Sequence, residues 1–531
     1  MKRVFITIIL TQLLLLFFNG YAQDDATIPT YQWAYSYLDQ LRLRGYLSEL
    51  NVIQQPYIQR QVFNSLVKLD NQIQQGDIYL SRQDQWLIDF LNREFKINGI
   101  SETGGKELII QSGIWVDEQV WYDKHETRFY TQLRSQVGLS LKNNLYFYNG
   151  LLLDQSLLAD STYIGEKWRG FAAYTEQAYL RFTTHDLRIK NSDFQFTIGR
   201  DFLNWGTGKT GRLLFSDHAQ PLDMLSVSLR YKGLQFIALA ADLDHWMLAD
   251  SLVQKYHAAK ANRYLSAHRL IVNLKNKLYF GLTEALLYGG PNSNWELKYH
   301  NPLLYYHGEL LNGGGYDGNG FLYFDFDWYP WQNWEFYGEI LIDDFQLEKT
   351  VSGDLEPNET GLILGFQHSN WFGFHGSLLG LEYVRVANRT YNSGFEWEKF
   401  LHFNRPIGYY LGNNFDRWNL MAQYLPIKGL QVGVKLDYIR NGEGSILDQW
   451  DTPWVNYSVS DGYDEPFPFG VVEKSFIASL NLRAHLKFNT ILESQISYQT
   501  VENALHEIGR NEKQLSLFMK LHWNIRCNLR Y

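Results

Sequence analysis

Two hydrophobic periods divide this chain. Between residues 30 and 96 the apolar positions recur at helical spacing, with Ala34, Tyr37, Leu38 and Leu41 at i, i+3, i+4 and i+7. Thr30 reads as the N-cap of this first helix and Gly45 as its C′ residue. A second helix, with Pro56 at N1, carries Val62, Leu66, Leu69 and Ile73 on one face and ends before Gly76. A third opens at Ser81, where Ser81-x-x-Asp84 resembles a capping box, and turns Leu87, Phe90 and Leu91 inward. From about residue 107 the period becomes two. At the C-terminus Leu515, Leu517, Met519, Leu521, Trp523, Ile525, Cys527, Leu529 and Tyr531 share one face. The other face carries Ser516, Lys520, His522, Asn524, Arg526, Asn528 and Arg530, with Phe518 as the exception. The stretches 429–438 and 475–488 repeat the alternation. Such a run is long for a soluble strand and fits a tilted membrane strand with lipid on one side and a polar lumen on the other.

Connector lengths test this independently, because outer-membrane barrels alternate short periplasmic turns with long outer loops. Short connectors fall at 142–144, 190–192, 231–233, 275–276, 330–333, 370–373, 426–429 and 489–490. Longer polar stretches fall at 117–128, 155–176, 201–221, 242–265, 288–320, 345–360, 387–416, 440–474 and 502–513. Eight short and nine long connectors join 18 antiparallel strands, and the first strand rises from the periplasm. The expected fold is therefore an all-β transmembrane barrel over 101–531, with a small helical plug over 23–100 on its periplasmic mouth.

The first residues and the composition agree with that placement. Lys2 and Arg3 precede an apolar run from Val4 to Phe18 and a Gly20-Tyr21-Ala22 cleavage site, so residues 1–22 read as a signal peptide. No later run reaches the roughly 20 apolar residues that a spanning helix needs. The chain is nevertheless 16% aromatic, which a barrel with aromatic girdles explains; a large soluble β-sandwich lectin is the competing class. A single cysteine, Cys527, excludes an intramolecular disulfide and cysteine-based metal sites, and the histidines show no metal-ligand spacing. The formal charge of −9, with no basic stripe, argues against nucleic acid as a partner. No cofactor is expected.

Residues 199–224, Gly-Arg-Asp-Phe-Leu-Asn-Trp-Gly-Thr-Gly-Lys-Thr-Gly-Arg-Leu-Leu-Phe-Ser-Asp-His-Ala-Gln-Pro-Leu-Asp-Met, contain Gly208-Lys209-Thr210. A phosphate-binding loop would need glycine at 203, which is Leu203, and a helix after Thr210, where polar turns and Pro221 follow. The stretch instead reads as an outer loop. Its glycines allow close backbone approach, and Arg200, Lys209 and Arg212 supply cationic donors for plugging the lumen or touching a ligand. Ser216-Asp217-His218 cannot form a triad, because adjacent residues do not converge as nucleophile, base and orienter.

This region resembles the signature of the capsule assembly Wzi family: a Gly-Arg opening at 199–200, Trp205-Gly-x-Gly, then Leu213-Leu214-x-Ser216-Asp217 and a proline before the next strand. The stretches 35–47 and 54–66 are similar to that family's N-terminal region. The resemblance implies an 18-stranded outer-membrane barrel with a periplasmic helical bundle, a lectin that helps hold capsular polysaccharide at the cell surface, and no catalytic residues.

Sugar binding calls for flat apolar faces beside planar polar groups in exposed loops. On that ground Arg200, Trp205, Lys209, Arg212, Trp168, Arg169, Trp295, Trp397, Trp450 and Trp454 are the candidate polysaccharide contacts. Loop tryptophans equally serve an interfacial girdle. Asp325 and Asp327 share the lumen side of one strand, and Glu339 and Asp343 that of the next, so a glycoside hydrolase with paired carboxylates is an alternative. A diffusion channel for sugars or other solutes is another. The expectation adopted is a monomeric, non-catalytic barrel in outer-membrane lipid that binds capsular or exopolysaccharide.

Overall fold

The computed structural model describes residues 26–76, 78–95, 108–123, 126–141, 144–160, 163, 165, 167–185, 189–312, 318–487 and 489–530. The expected signal peptide lies outside the described residues. Eighteen antiparallel strands close into one barrel. The first six are β1 (Leu108–Tyr122), β2 (Thr127–Leu141), β3 (Leu145–Asp154), β4 (Phe171–His185), β5 (Ser192–Asp201) and β6 (Leu222–Tyr231). The next six are β7 (Leu234–Asp242), β8 (Lys260–Leu274), β9 (Leu278–Pro291), β10 (Gly318–Trp328), β11 (Trp334–Asp344) and β12 (Glu359–Ser369). The last six are β13 (Ser377–Val386), β14 (Phe415–Ile427), β15 (Leu430–Asn441), β16 (Glu473–His485), β17 (Thr490–Glu502) and β18 (Asn511–Arg530). Closure is made by β1 against β18, from Ile109 opposite Arg530 to Tyr122 opposite Leu517, so no sheet edge is left unpaired.

The alternation works as the pattern requires. Leu515, Leu521, Trp523, Leu480, Phe476, Val434 and Tyr438 are exposed on the outside, whereas Gln431, Asp437, Ser479 and Ser497 are buried toward the lumen. Short turns gather at one end and long loops at the other. One connector departs from expectation: 117–128 is not a loop, because β1 and β2 run on until only residues 123–126 separate them. Asp117, Gln119 and Trp121 simply continue the inward register of β1.

Three helices, α1 (Ala34–Leu43), α2 (Gln59–Gln74) and α3 (Arg82–Phe95), bury Tyr37, Leu38, Leu41, Val62, Leu66, Leu69, Leu87 and Leu91 on one another and on Leu425 of β14. Gly45 and Gly76 end α1 and α2 with φ of +86° and +81°, the left-handed C′ geometry that glycine adopts without strain. Ser81 caps α3 by accepting the Asp84 N–H at 3.1 Å. Two starts differ from expectation: Trp33, not Thr30, precedes α1, and α2 begins at Gln59, three residues beyond Pro56. There the Gln61 side chain reaches back to the Ile58 N–H at 3.1 Å.

The helices sit at the short-turn mouth. Asn333 N–H donates to the Leu43 carbonyl (2.9 Å), the Gln332 amide to the Arg44 carbonyl (3.1 Å), and the Tyr37 hydroxyl lies 2.6 Å from His485 Nε2. The Arg42 guanidinium stands over the rings of Tyr279 and Tyr329, at 4.8 and 4.5 Å. The chain around α1 enters the lumen itself: Thr27 Oγ1 donates to Asp201 at 2.8 Å, and Gln54–Gln55 pairs with Asn204–Trp205.

Candidate functional site

The residues between β5 and β6 fold into the lumen and pack against one side of its wall. Leu213, Leu214 and Phe215 are fully buried in one cluster with Phe321, Tyr323 and Tyr337 of the wall and with Tyr391, Phe400 and Ile407 of a second inserted loop, 387–414. The backbone of 207–213 wraps carboxylates. Glu339 Oε1 accepts the Thr207 and Gly208 N–H groups at 2.6 and 2.7 Å, and its Oε2 accepts that of Leu213 at 2.8 Å. Glu382 accepts the N–H groups of Lys209 (2.6 Å) and Thr210 (3.1 Å) and the Tyr337 hydroxyl (3.0 Å). The glycine-rich stretch thus cradles anions as a phosphate loop would, but the anions are the protein's own glutamates. Position 206, at φ +131°, requires glycine, because a Cβ there would stand 2.3 Å from the Tyr323 hydroxyl and 2.4 Å from Glu339. Asp343, at the register shift between β11 and β12, accepts the Tyr391 N–H at 2.6 Å and anchors the second inserted loop.

This arrangement relocates four candidate contacts. Trp205 is 2% exposed, with its ring under the Arg269 guanidinium. Lys209 Nζ pairs with Glu335 at 2.7 Å. Arg212 lies mostly buried, 3.9 Å from Asp217. Arg200 is not a loop residue at all: it ends β5 on the outer face and holds Asp223 of β6 through both Nε (2.9 Å) and Nη2 (2.5 Å). Three of the four inward acids of the hydrolase alternative are engaged, whereas the carboxylate oxygens of the buried Asp327 have no hydrogen-bond partner among the described residues. Asp325 pairs with Arg269 at 2.8 Å, both fully buried, and Glu339 holds the loop backbone. Arg483 of β16 balances another acid, Glu493 of β17, at 2.7 Å.

On the long-loop end the remaining tryptophans divide. Trp397 is buried against Phe395 and Tyr256. Trp295 stays half-exposed, its indole N–H on Asp242 at 2.6 Å and its ring 4.3 Å from His300. Trp168 and Arg169 form a short hairpin tip, with the guanidinium 5.8 Å from the indole. Trp450 and Trp454 come together with a residue that the sequence did not single out, Arg389. Its guanidinium lies over both indoles, at 5.3 and 4.6 Å, and bridges Glu465 and Asp451 at 2.8 Å each. Asn388 and Tyr463 also donate to Glu465, each at 3.0 Å.

Beside this cluster a groove of about 260 Å³ runs between three long loops, lined by Lys349, Glu356, Asn358, Arg385, Arg389 and Phe467. Arg385 stands 4.1 Å over the Phe467 ring. Burial and the Asp344 carboxylate push Glu356 up to about 7, against the pull of Arg389. Burial and the hydrogen bond to Glu465 push Tyr463 up to about 12. Flat rings, planar guanidinium groups and carboxylates around one open groove are the groups that recognise a saccharide. The sequence signal available for it was the Glu465-Pro-Phe-Pro-Phe-Gly470 run, a proline-stiffened aromatic stretch inside an otherwise polar loop. Among the described residues no group of three or more His, Cys, Asp or Glu side chains could hold a metal ion.

A solved Escherichia coli structure, described as Wzi, an outer membrane protein involved in group 1 capsule assembly and a carbohydrate-binding β-barrel, is similar at a TM-score of 0.59. Its identity is 12%, over 93% of this chain and 99% of that one. Pseudomonas aeruginosa OccD3 (OpdP) matches at a TM-score of 0.44 and 13% identity, over 79% of this chain and 92% of that one. Pseudomonas aeruginosa OprD matches at 0.42 and 9%, over 78% and 95%. No curated protein matches the sequence. The family profile described as capsule assembly protein Wzi matches residues 122–515, the greater part of the barrel. The chain belongs to the capsule assembly protein Wzi family.

Proposed function

We propose that this protein lies in the outer membrane as a monomeric barrel, short turns and helices toward the periplasm, and binds capsular or other extracellular polysaccharide without catalysis, helping to attach it at the cell surface. The observation that carries this is the groove at the long-loop end, lined by Arg385, Arg389, Tyr463 and Phe467, with Arg389 backed by Trp450 and by Trp454, which is itself buried. The E. coli relative, described as a carbohydrate-binding barrel involved in capsule assembly, supports the same ligand class. The inserted loops support binding over diffusion, because they narrow the space a solute would cross. The engagement of Asp325 by Arg269 and of Glu339 by backbone N–H groups supports a non-catalytic role.

The test compares cells that make the unaltered protein, no protein, or the Arg389→Ala variant, and quantifies cell-bound and shed polysaccharide after centrifugation. Loss to the supernatant at constant total, in both altered strains, is the expected result. An unchanged distribution overturns the attachment reading, and shortened chains in the presence of the protein would reveal a hydrolase.

A further inference from the structure

The lumen-facing side of β18 carries Ser516, Lys520 and His522, yet Phe518 shares it. Across the closing seam β1 sets Trp121 opposite Phe518, and the two rings lie 4.4 Å apart at 47°. Both face inward. Asp117, on the same face of β1 as Trp121, pairs with Arg134 and Lys520 inside the lumen at 3.1 and 2.9 Å. Phe518 lines a lumen cavity of about 340 Å³ together with Ser36 of α1, Gln423, Gln431 and Gln495.

Despite facing inward, Trp121 is 43% exposed. The cause lies in the loops: the connector beside it has only residues 123–126, whereas the inserted loops fill the opposite side of the barrel. An indole and a phenyl ring therefore stand toward water, whereas other inward apolar residues of the wall, such as Trp115, Phe321 and Tyr337, are buried. They gain neither lipid contact nor burial in a core, and positions that break a local rule without a packing gain concentrate at functional sites. Their neighbours are mostly amides, and the guanidinium of Arg128, opposite Trp121 on β2, is paired with Asp123 and Glu126. The Trp121 indole N–H reaches Gln119 Oε1 at 3.3 Å, Gln495 is exposed in the cavity and donates to Ser497 at 2.8 Å, and Gln431 donates to Gln423 at 2.8 Å.

We propose that Trp121 and Phe518 form a sugar-stacking subsite at the long-loop mouth of the lumen. A neutral unit of the polysaccharide lays its apolar C–H face on the rings and its hydroxyls toward Gln495, which stands opposite Phe518. The subsite rests on the polysaccharide-binding reading and adds a second point of hold, inside the barrel rather than on its loops.

The experiment titrates full-length protein in detergent micelles, by calorimetry, with short oligosaccharides released from the surface polysaccharide of cells that make it. Heat-modifiable gel migration verifies that each variant barrel is closed. Trp121→Ala and Phe518→Ala are expected to weaken binding about fivefold to tenfold each, as loss of an aromatic contact does, with Trp121→Phe close to the unaltered protein. Alanine variants that bind as the unaltered protein does, while Arg389→Ala does not, overturn the subsite and leave the outer groove standing. Absence of binding by the unaltered protein overturns the polysaccharide reading and the subsite with it.

Discussion

If the signature loop is latched into the lumen by Glu339 and Glu382, removing those carboxylates should release it without opening the barrel wall. Glu339→Ala strips the acceptor from three backbone N–H groups, those of Thr207, Gly208 and Leu213. Glu382→Ala strips it from those of Lys209 and Thr210 and from the Tyr337 hydroxyl. A buried donor left unpaired costs about 1–3 kcal/mol, so the Glu339 change alone sets roughly 3–9 kcal/mol against docking. Even the lower figure shifts the docked-to-released equilibrium by more than about a hundredfold. Glutamine should be milder at 339, since its one acceptor oxygen keeps part of the set while its NH2 meets a backbone donor.

Two assays read this directly. Trypsin added to the purified barrel should cut after Lys209 or Arg212 in the doubly substituted protein and spare them in the unaltered one, because both side chains are now held inside by Glu335 and the wall. Planar-bilayer recordings should show conductance rising in the same variant. The wall hydrogen bonds are untouched, so heat-modifiable migration should not change. A doubly substituted protein that stays resistant at both cationic residues and conducts no more than the unaltered one would refute the latch.

Other outcomes follow from particular groups. Glu356, at about 7 in the folded loop against roughly 4.3 in an unfolded chain, holds a proton across that window, so the stability of loop 345–358 falls as the pH rises through it and levels off above about 7; trypsin cleavage at Lys349 should quicken accordingly, and Glu356→Gln should flatten the profile. The Arg44 and Asp84 side chains, 2.5 Å apart and almost wholly buried, tie α1 to α3; Asp84→Ala should cost about 3–5 kcal/mol by stranding a buried guanidinium, read as loss of helical circular dichroism in urea, and a paired Arg44→Met, Asp84→Met change should cost much less.

The barrel was legible because its signal is local. Leu515 to Ile525 alternate with polar residues within a single strand, and the parity of connectors converts many uncertain strand ends into one even count. What was not legible depends on distance along the chain. The loop carrying Gly206 and Lys209 looked like a ligand loop because its backbone N–H groups are a general anion trap. The anions that fill it come from β11 and β13, and every residue type except proline carries the N–H group that binds them, so composition records nothing of the pairing. The outer groove hides similarly: Arg389, Trp450 and Glu465 belong to separate stretches of two loops, and only their tryptophans carry a residue-type signal.

Phe518 shows a third situation, in which the information was present but incomplete. Its place among Ser516, Lys520 and His522 marked it as an exception to the alternation. Its counterpart, Trp121, was concealed because residues 117–128 read as a loop, and a loop has no faces to violate. Once β1 is extended through Tyr122, Trp121 becomes the same kind of exception on the neighbouring strand, directly opposite the first. One apolar residue in a polar lumen is readily a packing accident. Two that meet across a seam, with solvent still reaching the larger ring, form a surface, and a surface made of the two ring faces selects for flat apolar ligands. Where inward apolar side chains such as Phe321 and Tyr337 are covered by the inserted loops, an inward pair left open to water is therefore where specificity for a ligand is to be sought.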